Sequence, residues 1–181
     1  MSKEAKKRGV QVEMRLKHVL EANARWRDPQ QEPRNTLRWL PILQRWQSER
    51  LAESFSDFTA NPDTSMATTF FLSDLYGDHD VSARDRGIER MVPMMKRVLP
   101  VELLDTVADA MELAVLSHAF DLKMADALNQ IGGRRKTLDE TLYAEAYRSV
   151  GLPRMRQRQI DLIVRVGEAL DAAVRKPWLA K

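Results

Sequence analysis

His118 and Asp121 form the pair of residues in this sequence with the clearest potential for site chemistry. On a helix, residues three positions apart lie about one turn from each other on the same side. A carboxylate at that position can accept a ring N–H and orient the imidazole as a ligand for a haem, a metal or a small molecule. His118 also falls within an apolar run, which is typical of a histidine that belongs to the core. The sequence leaves both hypotheses open.

Metal and cofactor sites of familiar kinds lack their defining residues. The chain has no cysteine and so offers neither a thiolate ligand nor a thiol nucleophile. No Glu-x-x-His pair of the kind used by di-iron bundles occurs. The acidic run 78–89 resembles a calcium loop only superficially, because Ala83 stands where the sharp turn requires glycine. We therefore expect no metal and no cofactor.

A basic cluster in the last third of the sequence could contact phosphate groups. Its members are Arg134, Arg135, Lys136, Arg154, Arg156 and Arg158. Such clusters supply the phosphate contacts of nucleic-acid-binding proteins. No recognition-helix pattern accompanies this one and no aromatic residues are interleaved with its arginines, which favours solvation or internal pairing. Anion or nucleic-acid binding remains the alternative.

Tryptophan is concentrated in the first quarter of the chain, at Trp26, Trp39 and Trp46. Trp39 and Trp46 are seven residues apart, so they share one face of a helix. Core packing is the simpler interpretation, and a protein interface is the alternative because tryptophan and arginine are enriched in interface hot spots. If Trp39, Trp46, Tyr76 and His118 lined a common pocket, the chain would be a small-ligand or haem-binding protein, or an enzyme.

The most distinctive string in the sequence is Phe70-Phe71-Leu72-Ser73-Asp74-Leu75-Tyr76-Gly77. Asp74 is flanked by apolar residues, and Arg84 is a natural counter-ion for a partly buried carboxylate. Tyr76 would lie at the end of a short helix, where its hydroxyl would need a hydrogen-bond partner. Tyr76, Asp74 and Arg84 therefore join His118 and Asp121 as the candidate ligand-binding residues.

The same string carries a resemblance to a known group of proteins. Its pattern is Phe-Phe-x-x-Asp-Leu-Tyr-Gly, and it continues through Leu99-Pro100, Thr106–Ala110 and Val166–Leu170. The sequence resembles, over roughly residues 66–176, a family of small uncharacterised helical proteobacterial proteins. The resemblance implies a helical fold and brings no activity, cofactor or site residue with it. Longer members of that family imply a C-terminal extension beyond Lys181.

Apolar residues recur at helical spacing along most of the chain, and glycine and proline fall between the periodic segments. The pattern predicts helices near residues 4–27, 40–59, 64–76, 82–99, 101–131, 137–150 and 154–176. The helix at 101–131 is apolar over most of its circumference, which predicts a central helix wrapped by others. The predicted fold class is all-α: one domain over 1–181, a bundle of about six or seven helices, with a proline-punctuated corner at 28–41.

Charge alternates strongly along the chain although the total is only +3. Residues 1–50 carry a net +6, residues 51–130 a net −8 and residues 131–181 a net +5. Opposed charges are most simply satisfied within the molecule, so we predict that the basic ends pack against the acidic middle.

The last predicted helix carries two local expectations. Asp161 and Arg165 stand four residues apart and are predicted to pair on the outside of the helix. Leu162, Ile163 and Leu170 belong to the apolar set predicted to face inward.

Length and hydropathy limit the classes of protein to which this chain can belong. A chain of 181 residues with 44% hydrophobic residues can build a core without disulfides. No signal peptide and no stretch of about 20 apolar residues is recognisable, so we expect a cytoplasmic protein without membrane contact. Since no catalytic constellation emerges, we predict a non-enzymatic module that binds a protein partner or assembles with itself.

Overall fold

The computed structural model describes residues 3–62, 65, 94–95 and 99–174, and helices account for most of them. These residues contain a short 3-10 helix at Pro33–Thr36 and no β-strand. The α-helices in them are α1 (Lys3–Arg27), α2 (Trp39–Ser54), α3 (Ser56–Ala60), α4 (Val101–Ile131), α5 (Glu140–Val150) and α6 (Pro153–Val174). The all-α prediction is confirmed.

Most predicted helix boundaries agree with the structure. α1 and α4 occupy the predicted ranges, whereas the predicted helix 40–59 is divided at Phe55 into α2 and α3. α5 begins later than predicted because Asp139 caps it, accepting a hydrogen bond from the Leu142 backbone N–H at 2.8 Å. The helices predicted at 64–76 and 82–99 lie mainly outside the described residues.

The chain divides into two compact units, and α4 contributes to both. The first unit comprises Met1–Glu32, Arg86–Phe120 and Leu152–Lys181, and the second comprises Pro33–Asp85 and Asp121–Gly151. The single-domain organisation therefore stays a prediction. The proline-punctuated corner at 28–41 contains a turn at Asp28, the 3-10 helix and the start of α2.

The core of the first unit lies between α1 and α4. A buried cluster joins Leu16, Val19 and Leu20 of α1 to Ala108 and Met111 of α4. α1 presents these side chains on one face because they follow the helical repeat. α6 adds the buried side chains of Leu162 and Val166 to the same unit.

In the second unit, Trp39 at the start of α2 is fully buried against the end of α4. Gly132 follows α4 directly and leaves the space that the indole ring occupies. Gly133 adopts a positive φ of 55°, a conformation that ends helices and favours glycine. Arg38 crosses this corner, with its guanidinium 5.0 Å from the Trp39 ring and its Nη2 donating to the Gly133 carbonyl at 2.5 Å.

α4 is buried on more than one side, which confirms that it is the central helix. Its buried residues include members of both predicted faces, namely Leu104, Met111, His118, Leu122 and Ala125 of one face and Leu113, Phe120 and Met124 of the other.

The close approach of Trp39 to Gly132 generates a stability prediction. A Cβ at position 132 would lie under 3 Å from the indole ring and from the Leu128 carbonyl oxygen, so Gly132→Ala should lower the free energy of unfolding by about 2 kcal/mol. Gly9→Ala is the matched control, because among the described residues the new methyl group would meet only Val101, at an ordinary 3.8 Å. Gly9 lies inside a helix, so that change should raise stability by about 0.5–1 kcal/mol. Urea denaturation measures both, and equal effects of the two substitutions would contradict the packing described.

Candidate functional site

Three carboxylates form a continuous acidic stripe along α4: Asp105, Asp109 and Glu112. Their spacing of four and then three residues places them on one face of the helix. The Asp109 side chain is only 7% exposed, and those of Asp105 and Glu112 are each 28% exposed. Carboxylates this far from water require positive partners.

Arg15 of α1 reaches all three carboxylates of the acidic stripe. Its Nη1 donates to Asp105 Oδ1 at 2.8 Å, and its Nη2 donates to Glu112 Oε2 at 2.6 Å and to Asp109 Oδ1. Arginine suits this position because its rigid guanidinium carries several donors in one plane. A single side chain therefore ties α1 to two turns of α4.

α6 supplies two further arginines from the other end of the sequence. Arg158 donates to Glu112 Oε1 through Nε at 2.9 Å and through Nη2 at 2.7 Å. Arg165 lies 2.7 Å from Asp109 Oδ2. Because these arginines are seven residues apart, they lie on the same side of α6, two turns from each other. The predicted packing of basic ends against the acidic middle is confirmed at this cluster.

The ion pairs of the cluster shift the pKa values of Glu112 and Arg15. Burial alone would raise the pKa of Glu112, but hydrogen bonds from Arg15 and Arg158 and their positive charges outweigh it and hold that pKa below its usual 4.5. Burial would likewise lower the pKa of Arg15, and the hydrogen bonds and charges of Glu112 and Asp109 raise it instead. Both ends of the network are therefore fixed in their charged forms at neutral pH.

The chemistry of this cluster is structural. Three arginines, Arg15, Arg158 and Arg165, balance three carboxylates, so the charges join helices within the first unit. A peripheral pair, Arg8 with Glu102 at 3.7 Å, extends the same pattern by two turns of α1 and one turn of α4, and more than half of each side chain is exposed.

The candidate ligand-binding residues are only partly described. His118 is buried, at 5% exposure, in the first unit. Asp121 belongs to the second unit, where its Oδ2 lies 3.4 Å from Gln44 Nε2. Tyr76, Asp74 and Arg84 lie outside the described residues, so the proposed ligand site stays a prediction.

The six basic residues predicted as an anion-binding cluster fall in different units. Arg134, Arg135 and Lys136 are exposed in the turn after α4, in the second unit. Those near the start of α6 belong to the first unit, and they differ in their surroundings. Arg154 is exposed, Arg156 lies 4.6 Å from the Phe120 ring centre, and Arg158 binds Glu112.

A row of aromatic side chains connects α2 and α5 in the second unit. Trp46 stacks on Tyr143 with ring centres 4.4 Å apart, and Tyr147 continues the row at 6.1 Å from Tyr143. Arg50 lies 4.7 Å from the Trp46 ring and forms a salt bridge of 3.4 Å with Glu140. Trp46 thus packs against a neighbouring helix but is only half-buried, so the core interpretation holds fully for Trp39 alone of these two, while Arg50 and Tyr147 at the two ends of the row are exposed.

α6 departs from its sequence prediction on its outer side. Leu162 is buried as predicted, but Ile163 and Leu170 are exposed, so their predicted inward orientation is wrong. Arg165 is bound to Asp109 and not to Asp161, which accepts a hydrogen bond from Gln157 at 2.9 Å instead. The physical reason is that the buried carboxylate offers a stronger partner than an exposed one in water.

Exposed apolar residues follow one another along this outer side of α6. They form what we call the outward stripe: Ile160, Ile163, Val164, Gly167 and Leu170. At about 100° per residue their spacing of three and four positions keeps them on one face. The sequence pattern alone assigned some of them to the core because α6 has apolar residues on two sides.

The arginines that organise the site were only partly visible in the sequence. The acidic stripe is recognisable from its spacing, and Arg158 belongs to the predicted basic cluster. Nothing local distinguishes Arg15 from the other basic residues of α1, since its partners lie 90 or more residues away. The seven-residue spacing of Arg8 and Arg15 and of Arg158 and Arg165 is no signal either, since Arg38 and Arg45 share it.

Within the described ranges no group of three or more histidine, aspartate or glutamate side chains could hold a metal ion. No helix in the part of the chain that the structure describes is both long enough and apolar enough to cross a membrane.

Residues 26–181 match the family described as Domain of unknown function (DUF8198). The match covers most of the chain, so the chain belongs to that family. No curated protein and no solved structure matches the chain.

The lowered pKa of Glu112 predicts a dependence of stability on acid. A carboxyl group whose pKa is lower in the folded state than in the unfolded state stabilises the fold. This contribution is complete at pH values above the unfolded pKa, and it is lost as the pH falls through the folded pKa. The free energy of unfolding should therefore fall more steeply from about pH 5 to about pH 3 in the natural chain than in Glu112→Gln. Urea denaturation followed by circular dichroism measures the slope. Glu49→Gln, at an exposed position, should keep the natural slope, and identical slopes for all three chains would contradict the network.

Proposed function

As a member of this family of unknown function, the chain is, we propose, a non-enzymatic module that binds another protein through the outward stripe of α6. The observation that carries the proposal is the exposure of that stripe. Ile160, Val164 and Leu170 are each 51–52% exposed and Ile163 is 41% exposed.

A helix with exposed apolar residues in a continuous row is a typical docking element for another protein. Single exposed apolar side chains are common on any protein surface, but contiguous rows of them mark interaction sites. Burying one such side chain completely contributes about 1.5–3 kcal/mol. Contact with a partner over several turns of α6 would therefore recover several times that amount before the entropy cost of association.

The inner side of α6 is already occupied, which supports an external partner for the outer side. Leu162 and Val166 are buried, and Arg158 and Arg165 bind the acidic stripe of α4. These contacts fix the orientation of α6 about its own axis. The outward stripe lies beside these buried residues, on the part of the α6 surface that this orientation leaves exposed.

The groups nominated for chemistry in the sequence also support a non-catalytic interpretation. Arg158 is committed to Glu112, Arg156 packs near Phe120, and His118 is buried in α4. Their described surroundings are those of groups that hold helices together. A ligand site near His118 and an anion site at the basic cluster remain as less favoured alternatives. The cytoplasmic location stays a prediction.

Site-specific photo-cross-linking in cells tests the proposal. A photoreactive benzoylphenylalanine at position 163 should give a covalent protein adduct, because that position lies in the middle of the outward stripe. The same group at position 161 is the matched control. Asp161 is also exposed, yet two residues along a helix turn it by about 160° from Ile163.

The expected result is an adduct of discrete mass from position 163 and none from position 161. Absence of adducts from positions 163, 164 and 160 at natural expression levels would overturn the proposed function. Equal adducts from positions 161 and 163 would also overturn it, since contact would then not depend on the apolar stripe.

A further inference from the structure

A cluster of basic residues lies in the second unit, where α4 ends and α2 begins. Arg38, directly before α2, donates from Nη2 to the Gly133 carbonyl oxygen at 2.5 Å. Gly133 belongs to the turn after α4, in which the Arg135 backbone N–H donates to the Gly132 carbonyl oxygen at 3.1 Å. The fold therefore brings Arg38 beside a basic run more than 95 residues later in the sequence. We call this cluster the basic corner: Arg38, Arg134, Arg135 and Lys136.

The basic corner differs from the anion-binding cluster that the sequence predicts. That prediction joins the run 134–136 to three arginines near the start of α6, which belong to the first unit. Of those three, Arg158 is committed to Glu112. The structure instead adds Arg38, which nothing in the sequence places near position 133.

The four side chains of the basic corner lack negative partners. All four are exposed, and among the described residues no carboxylate forms an ion pair with any of them. Arg50 of the same unit, in contrast, pairs with Glu140 at 3.4 Å. Asp139 follows the basic run closely, but its side chain caps α5 by accepting from the Leu142 backbone N–H. Like charges gathered in one corner repel one another, so a negative group bound there is favoured.

The helix ends at the corner do not account for this charge. The negative end of the α4 dipole favours a cation, and Arg38 meets that preference by donating to the Gly133 carbonyl oxygen. The positive end of the α2 dipole lies at the same place, because Trp39 at the start of α2 packs against Gly132. The two partial charges, each about half an elementary charge, oppose one another. The charge left at the corner is therefore that of the side chains.

We infer that the basic corner binds a phosphate monoester carried by a protein partner, in the form of a phosphorylated side chain. Three of the four residues are arginines, whose planar guanidinium groups can donate two parallel hydrogen bonds to phosphate oxygens. A phosphate monoester carries about −1.5 to −2 charges at pH 7, so it offsets more of the repulsion than one carboxylate does. The basic corner belongs to the second unit, so the inference does not depend on the outward stripe of α6.

The surroundings of the corner favour a phosphate carried by a protein over other sources. Trp39, the aromatic residue in contact with Arg38, is fully buried and cannot stack on a nucleic-acid base. The described residues with large exposed apolar side chains lie outside positions 33–41 and 129–139, so the corner offers none for insertion into a lipid layer. The four basic side chains are exposed, whereas sites for small molecules are concave and bury most of the ligand.

An NMR titration of the full chain tests the inference. The probe is a short peptide that has one phosphoserine flanked by glycine and alanine, and its unphosphorylated form is the control ligand. The phosphorylated peptide should produce saturable shifts in the backbone N–H signals of Gly133 and Arg134. The Trp39 indole signal should shift with them, because its ring lies 5.0 Å from the Arg38 guanidinium. The unphosphorylated peptide should leave these signals unchanged.

Matched double substitutions separate a specific site from general attraction between charges. Arg134→Gln with Arg135→Gln removes two exposed cations of the corner, and the loss of two exposed ion pairs should weaken phosphopeptide binding about tenfold. Arg25→Gln with Arg154→Gln removes the same charge from exposed positions of the first unit and should weaken binding less than about twofold. Since all four positions are exposed, both double variants should keep the natural melting temperature in circular dichroism.

Four results would overturn the inference. Equal weakening by the two double substitutions would reduce the binding to general charge attraction, and equal binding of the two peptides would remove the role of the phosphate. Inorganic phosphate that binds more tightly than the phosphopeptide would assign the corner to a free anion. A DNA duplex of about 20 base pairs that binds more tightly than the phosphopeptide, and loses this binding with Arg134→Gln and Arg135→Gln, would assign it to nucleic acid. None of these results involves position 163, so cross-linking there tests the proposed function separately.

Discussion

The fold depends on neutralising the acidic stripe of α4 with arginines from the two ends of the chain. Asp109 has almost no access to water, and it is held between Arg15 of α1 and Arg165 of α6. Glu112 is held in the same way between Arg15 and Arg158. A central helix with buried carboxylates cannot tolerate their loss, because an uncompensated buried charge is strongly destabilising. The basic ends are therefore required partners of the acidic middle.

This constraint also shapes the surface of the protein. The ion pairs made by Arg158 and Arg165 set the rotation of α6 about its axis, together with the burial of Leu162 and Val166. Once that rotation is set, the apolar residues on the remaining side of α6 cannot also face α4. The outward stripe thus arises from the same contacts that hold the first unit together, which links the packing of the core to the proposed interaction with another protein.

The sequence predicts the helices well because their apolar periodicity is local, and α4 matches its predicted range from Val101 to Ile131. The sequence also predicts that the basic ends of the chain pack against its acidic middle. The net charge of each segment can be counted from the sequence without knowing how the helices are arranged. The sequence does not identify Arg15 or the partner of Arg165. Those contacts depend on how helices 40 to 100 residues apart are rotated against one another. A helix with two apolar sides, such as α6, has the same difficulty: periodicity does not say which side is covered, as Ile163 and Leu170 illustrate.

The most direct test of the central claim is the coupling between Arg15 and Arg165, which share Asp109 without contacting the same oxygen. The free energy of unfolding should be measured for Arg15→Met, Arg165→Met and the double variant, with Arg8→Met as the control at an exposed pair. Arg15→Met should cost about 3 kcal/mol and Arg8→Met under about 1 kcal/mol. The double variant should lose about 1 kcal/mol more than the sum of the single losses, because Asp109 then has neither arginine. Additive losses, or equal losses for Arg8 and Arg15, would contradict the account.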